Sequence, residues 1–184
     1  MRVPMRWFWI DRFVEFTGGQ RAVAVKNITL SEPHVSDYWP GSDYLPTSLM
    51  IEGFAQTGGI LVAESSGFRH RVVLAKVSEA RISANPQAGQ TVRYTTILEQ
   101  FNADGAFVTG TAHVEGECIG QVKLVFAHLS DHFNAELFQP GQLLQMLQQW
   151  RFFDVARQAD GTPSPLPEAL LADPLEVKTA QPFV

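Results

Sequence analysis

Hydrophobic and polar positions follow two different patterns along the chain, and these patterns predict its elements. Residues 48–66 are apolar or small almost without interruption, which predicts one buried helix, and Gly67 is typical of a helix end. Beyond it, runs rich in Val, Thr, Ile and Phe partly alternate with polar residues and are separated by Gly, Pro and Asn, as in strands. The predicted strands are 22–28, 71–77, 79–84, 91–99, 107–115 and 118–129.

One long helix followed by a run of strands predicts an α+β fold. An apolar helix cannot bury itself and a sheet has a face to cover, so a curved, mostly antiparallel sheet wrapped around the central helix satisfies both. Gly53, Gly58 and Gly59 each cost up to about 1 kcal/mol inside a helix. Their presence favours close approach by a neighbouring element. We expect residues 1–130 to form this domain.

The two ends of the chain predict smaller elements. Residues 7–13 form a segment rich in aromatic side chains, which is expected to pack on the core. Residues 140–156 have helical periodicity, and the Pro-rich tail after Gly161 predicts extended chain with at most a helical turn near 168–172. We therefore expect residues 131–184 to be a C-terminal helix and tail packed on the main domain, with a partner-binding role as the alternative.

Composition narrows the class of protein. Lys and Arg total 14 against 19 for Asp and Glu, and this net charge of -5 argues against a nucleic-acid partner. No run is apolar enough to span a bilayer, and the first residues lack the hydrophobic stretch of a signal peptide, so a cytoplasmic protein is expected. The single Cys118 excludes an internal disulfide, and its strand-like surroundings predict a buried thiol. No metal-ligand or cofactor-binding spacing appears, so no cofactor is expected.

Glu52 and Gln56 are the candidate functional residues within the predicted helix. Residues four apart share one helical face, so the two side chains should point the same way. A carboxylate in so apolar a segment is costly to bury without a partner, which is typical of functional sites. The alternative is a polar stripe that faces water. The stiff segment 38–46, which leads into the helix, favours the functional interpretation.

Two adjoining segments carry a recognisable motif. Residues 31–41 read Ser-Glu-Pro-His-Val-Ser-Asp-Tyr-Trp-Pro-Gly, and residues 49–56 read Leu-Met-Ile-Glu-Gly-Phe-Ala-Gln after a Leu-Pro pair. They resemble the patterns N-E-P-x-x-x-x-H-F-P-G and P-G-V-L-x-x-E-A-x-A-Q of the β-hydroxyacyl-acyl carrier protein dehydratases of the FabZ/FabA type. Flanking similarities lie at 8–12, 24–27, 76–81, Pro86 and Gly89. The resemblance covers about residues 8–129 and implies the hot-dog fold.

This resemblance implies a reaction and a catalytic pair. In the family a histidine of one subunit faces an acidic residue on the central helix of the other, and water is removed from a 3-hydroxyacyl thioester to give a trans-2-enoyl thioester. Glu52 matches the acidic residue and Gln56 its supporting glutamine. The histidine position is occupied by Tyr38 and the glycine that opens the helix by Thr47. A tyrosine, with a pKa near about 10, is a poor base but a possible acid.

The resemblance also implies the substrate-binding residues. Backbone N–H groups near Thr47 and Ser48 and the positive end of the helix dipole would face the thioester oxygen. Gln56 and the loop residues Pro40 and Gly41 complete the predicted set. The substrate would be a thioester of acyl carrier protein or CoA, and the protein would be a homodimer or a larger assembly of dimers without a nucleic-acid partner.

The change at the histidine position leaves three functional hypotheses open. In the first, which we favour, the protein is a lyase in which Glu52 takes the proton and Tyr38 protonates the leaving hydroxyl. In the second, His34 or His70 supplies the missing imidazole. In the third, a hot-dog protein has lost dehydration and either hydrolyses acyl thioesters or only binds them.

Overall fold

This computed structural model describes residues 7–32, 43–129 and 140–171. These residues contain seven strands and three helices. The strands are β1 Arg12–Thr17, β2 Arg21–Asn27, β3 Arg71–Ile82, β4 Thr91–Phe101, β5 Gly105–Val114, β6 Glu117–Leu129 and β7 Ala156–Arg157. The helices are α1 Thr47–Ser65, α2 Pro140–Gln149 and α3 Phe152–Val155, and a 3₁₀ turn covers Glu168–Leu170. In these ranges, no helix combines the length and the apolar character that crossing a bilayer requires.

All seven strands form one sheet around α1. Their order is β3-β6-β5-β4-β2-β1-β7, and every neighbouring pair is antiparallel except β1 and β7. The helix α1 contacts β2, β3, β4, β5 and β6, so it lies against most of the width of the sheet. The predicted α+β architecture, one central helix covered by a mostly antiparallel sheet, is confirmed.

Small residues bring α1 close to the sheet. A Cβ atom on Gly53 would lie 2.6 Å from the Tyr94 Cζ atom, and one on Gly58 would lie 3.2 Å from the Val108 Cγ1 atom. The close approach expected from the helix glycines is therefore present, and side chains of the sheet make it. Because interiors are close-packed, these positions leave no room for a larger residue without movement of the neighbours.

Besides shifts of one or two residues at strand ends, β1 and β3 depart from the predicted strands. Strand β1, which lies within and beyond the aromatic segment 7–13, was not predicted. The segments 71–77 and 79–84, predicted as two strands, form the single strand β3. Its pairing with β6 shifts register between Leu74 and Lys76 and again between Val77 and Glu79. Such β-bulges let one strand continue through an irregular stretch of polar and apolar residues.

The predicted helix 140–156 is interrupted. α2 ends at Gln149, and Arg151 has a left-handed φ of 55°, which turns the chain into α3. The Phe13 N–H donates to the Trp150 carbonyl at 2.8 Å, and β7 then pairs with β1. Docking on β1 thus determines where the helix ends.

Side chains of the C-terminal part belong to the same hydrophobic core as α1. Leu147, Trp150 and Phe152 are buried there, as is Leu170 of the 3₁₀ turn, which lies within the predicted helical segment 168–172. The division of the chain at residue 130 stays a prediction, because residues 130–139 lie outside the described ones.

Cys118 corrects another expectation. The sequence predicted a buried thiol, whereas the residue is exposed. It follows the turn at Glu115 and Gly116, both of which have positive φ. The hairpin tip between β5 and β6 therefore carries Cys118 at the surface, although its neighbours further along β6 are buried.

Candidate functional site

The start of α1 is fixed against the connection between β3 and β4. Leu45 is fully buried, and its N–H donates to the Pro86 carbonyl at 2.7 Å. The Pro46 carbonyl then accepts from the N–H groups of Leu49 at 2.9 Å and Met50 at 3.1 Å, which closes the first turn. The N-cap residue of this helix, Pro46, makes no side-chain cap hydrogen bond. The earliest N–H groups, which have no acceptor within a helix, therefore receive no cap from this residue.

Glu52 and Gln56 form the pair that their spacing predicted. The Gln56 Nε2 donates to the Glu52 Oε1 at 3.0 Å, and both side chains are partly buried. No cation among the described residues forms an ion pair with Glu52. An amide, and no ion pair within the described residues, therefore orients this carboxylate.

Gln56 also ties the N-terminal segment to the helix. Its Nε2 donates to the Trp7 carbonyl at 2.8 Å, and its Oε1 accepts from the Trp9 N–H at 2.9 Å. One side chain thus holds both the backbone at residues 7–9 and the Glu52 carboxylate. The sequence did not predict these backbone contacts, since they join residues 47 and 49 positions apart.

Replacement of Gln56 by alanine is expected to lower the free energy of unfolding by about 1–3 kcal/mol, because it removes three hydrogen bonds at once. Urea denaturation followed by tryptophan fluorescence would measure the loss, and the emission of Trp7 should shift if the segment detaches. The control is Gln145→Ala on the exposed side of α2. Equal losses for the two variants would contradict the anchoring role.

Tyr94 lies beneath the Glu52 turn and was not predicted as part of the site. It is fully buried, and its ring contacts Gly53 and packs edge-on against Phe54 at 5.0 Å. Burial raises the pKa of Tyr94 strongly, and the negative charge of Asp11 adds to the effect. Its hydroxyl has no hydrogen-bond partner in the described structure. Tyr94 therefore keeps its proton at neutral pH.

An ion network around the buried Lys26 joins Asp11 to Glu32, the last described residue before residues 33–42. The Lys26 Nζ lies 3.1 Å from the Asp11 Oδ1 and 2.9 Å from the Glu32 Oε1, and Lys26 is only 7% exposed. The Asp11 Oδ2 also accepts from the Asn27 N–H at 2.7 Å. Because breaking an ion pair of a buried lysine is strongly destabilising, this network fixes the position of Glu32.

The remaining predicted site residues divide into two groups. Thr47 and Ser48 are exposed at the start of α1, and the Thr47 Oγ1 donates to the Asn85 Oδ1 at 3.1 Å. Tyr38, Pro40, Gly41 and His34 lie outside the described residues. Their roles stay predictions.

His70 lies beyond the other end of α1. Its ring packs at 4.7 Å, between centroids, against that of His128. Glu52 and Ser65 are 13 positions apart, which corresponds to roughly 20 Å along the helix. The structure therefore does not bring His70 and Glu52 together within one protomer.

Comparison of the sequence with known proteins identifies its relatives. A family model described as a FabA-like domain matches residues 4–123. The chain is 31% identical over 130 residues to the 3-hydroxyacyl-[acyl-carrier-protein] dehydratase FabZ of Thermomicrobium roseum, covering 69% of this chain and 87% of that protein. It is 28% identical over 119 residues to the FabZ of Caldicellulosiruptor saccharolyticus, covering 64% and 85%.

Solved structures share the architecture. The dehydratase heterocomplex ApeI:P from Xenorhabdus doucetiae matches with a TM-score of 0.59 at 12% identity, covering 79% of this chain and 93% of that one. The protein smu.793 from Streptococcus mutans, solved bound to acetyl CoA, matches with a TM-score of 0.54 at 13% identity, covering 71% and 94%. These similarities confirm the predicted hot-dog fold.

Proposed function

Because the chain belongs to the family of FabA-like domains, we propose that it is a 3-hydroxyacyl thioester dehydratase-like lyase of fatty acid metabolism. The observation that carries the proposal is the Glu52 carboxylate, which Gln56 orients at 3.0 Å and which has no cationic partner among the described residues. Both residues lie within the segment that the family model matches. A partly buried, oriented carboxylate is suited to removing a proton next to a thioester carbonyl.

In the proposed reaction Glu52 takes the proton from C2 of the 3-hydroxyacyl group. The electron pair left on C2 forms the double bond to C3, and the C3–O bond breaks as Tyr38 protonates the departing hydroxyl to give water. Backbone N–H groups of Thr47 and Ser48, at the start of α1, stabilise negative charge on the thioester oxygen. Return of a proton from Glu52 to Tyr38 restores the site.

The role of Tyr38 is tested by Tyr38→Phe, which removes only the hydroxyl. Loss of one acid typically lowers the rate by about 10²- to 10⁴-fold. Steady-state kinetics of enoyl thioester hydration would measure the change. Retained turnover would exclude Tyr38 as the acid.

We further propose that a second copy of the chain completes the site along β3. This strand ends the sheet and, among the described strands, pairs only with β6. Leu74 and Val77 on it are 37% and 38% exposed. An open edge with apolar side chains is a ready template for pairing with another chain. The protein is then a cytoplasmic homodimer or an assembly of dimers.

Hydration of trans-2-enoyl thioesters, carried by CoA or by acyl carrier protein, tests the proposed activity directly. The enoyl absorbance should fall as the purified protein converts the substrate to the 3-hydroxyacyl thioester. Release of free thiol from saturated acyl-CoA would instead indicate thioester hydrolysis. A hypothetical thioesterase from Streptococcus pneumoniae, solved with coenzyme A, shares the fold at 8% identity. Binding of both substrates without turnover would exclude catalysis.

A further inference from the structure

The side-chain amide of Gln56 meets three groups of fixed position. Its Oε1 accepts from the Trp9 N–H at 2.9 Å, while its Nε2 donates to the Trp7 carbonyl at 2.8 Å and to the Glu52 Oε1 at 3.0 Å. An amide has two N–H donors on its nitrogen, and here both are in use. Turning the amide over would place Oε1 against two acceptors and Nε2 against a donor, so only one orientation is compatible with these neighbours.

Backbone groups, more than Glu52, determine this orientation. A backbone N–H can only donate and a carbonyl can only accept, so Trp9 requires the amide oxygen and Trp7 requires the amide nitrogen. A carboxyl group is less demanding, because it only accepts when ionised but can also donate when protonated. The two backbone contacts therefore present an N–H to Glu52 whether or not it carries a proton.

Side-chain packing holds the backbone at residues 7–9 in place. Trp9 is 7% exposed, and the Phe8 ring packs edge-on against that of Trp150 at 5.2 Å between centroids. Trp150 is 2% exposed and lies beyond the residues 4–123 that the family model matches. The C-terminal part of the chain thus supports the segment whose backbone contacts Gln56.

We propose that the backbone at Trp7 and Trp9 is a positioning element of the site: it sets the orientation of the Gln56 amide and, through that amide, the orientation of the Glu52 carboxylate. Trp150 supports this backbone through Phe8. The positioning role rests on the proposed function of Glu52 as the proton acceptor, whereas the fixed orientation of the amide does not.

Exchange NMR of glutamine side-chain amides in the full-length protein tests the orientation without any substrate. The two Nε2 protons of Gln56 should interchange at least about 10-fold more slowly than those of the exposed Gln145, because rotation of the amide breaks hydrogen bonds. Interchange should remain slower than in Gln145 in the variant Glu52→Ala, where both backbone contacts persist. Equal rates for Gln56 and Gln145 in that variant would overturn the proposal, because Glu52 would then be the group that orients the amide.

Loosening the segment from its far side tests the support by Trp150. Phe8→Ala removes the ring that packs on Trp150 and replaces no group that hydrogen-bonds to Gln56. Proton interchange in the Gln56 amide should become faster in this variant. The matched control Phe153→Ala, which removes another partly buried ring packed on the core, should leave the interchange unchanged. An amide as slow in Phe8→Ala as in the unmodified protein would overturn the support by Trp150.

Gln56→Glu distinguishes positioning of Glu52 from mere attachment of the segment. The new side chain keeps the shape and an oxygen for the Trp9 N–H, but when ionised it offers no N–H to Glu52. Adjacent carboxyl groups disfavour a second negative charge, so the loss of dehydration activity on acidification should begin about one pH unit higher or more.

The control Gln145→Glu, at an exposed position, should leave the pH profile of dehydration unchanged. An unchanged profile for Gln56→Glu would overturn the positioning role, since attachment alone would affect stability and not the pH profile. Absence of turnover by the unmodified protein would refute the dehydratase function, and the amide NMR would then decide the orientation of Gln56 by itself.

Discussion

Replacement of Glu52 by glutamine is expected to lower kcat/KM for enoyl thioester hydration by about 10²- to 10⁴-fold, the usual contribution of a general acid or base. The change removes the proton-accepting group and keeps the size of the side chain. Gln56 can still donate its Nε2–H to the new amide oxygen, so the contact that is 3.0 Å long in the structure has a substitute. Initial rates of 3-hydroxyacyl thioester formation at several substrate concentrations would measure the change in kcat/KM.

Two measurements distinguish loss of chemistry from loss of structure in this variant. Urea denaturation should give Glu52→Gln the same free energy of unfolding as the unmodified protein to within about 0.5 kcal/mol, the usual effect of a surface substitution. Glu117→Gln, which alters an exposed carboxylate in β6, should retain full turnover. Unchanged hydration by Glu52→Gln would remove the basis for a catalytic carboxylate on α1.

Replacement of Gly53 by alanine is expected to destabilise the protein by about 1–3 kcal/mol, the typical cost of overpacking a core. The added Cβ would lie 2.6 Å from the Tyr94 Cζ, and Tyr94 is fully buried, so we expect its ring to have little room to move. Helix propensity favours alanine by only about 1 kcal/mol. Since Glu52 precedes Gly53 directly, the resulting shift of the helix should also reduce turnover.

Gly59→Ala is the matched comparison in the same helix. Its Cβ would lie 3.4 Å from the Phe126 Cε1, an ordinary contact distance, and the position is partly exposed. Helix propensity should then decide the outcome and stabilise the protein by up to about 1 kcal/mol. Urea denaturation of both variants measures the difference. Similar stabilities for Gly53→Ala and Gly59→Ala would show that Tyr94 can move aside.

Local patterns were sufficient to predict the main elements. The structure places the central helix at Thr47–Ser65 against a predicted 48–66, because a long apolar run stands between Pro46 and Gly67. Strand β1 was missed since its six residues, with Phe13 and Phe16 buried, alternate too briefly to indicate a strand. Its place in the sheet depends on pairing with β2 and with β7, far along the chain.

The site shows the same division between local and distant information. The hydrogen bond between Glu52 and Gln56 follows from their spacing of four residues in a helix. The contact of Lys26 with Asp11 and Glu32 follows from no local pattern, as those residues lie 15 and 6 positions away on separate segments. Only the assembled sheet brings these three charges together.

The C-terminal part of the chain also determines how the sheet can grow. On the outer side of β1, the N–H groups of Phe13 and Gly18 donate to the carbonyls of Trp150 and Arg157. Residues 16–17 pair with β7. The described sheet ends at β3 and β7, and residues 163–164 already pair with β7, so β3 is the longer open edge. Two copies joined there by a two-fold axis would bury both β3 edges, so association through this edge would stop at a closed pair instead of propagating into a fibre.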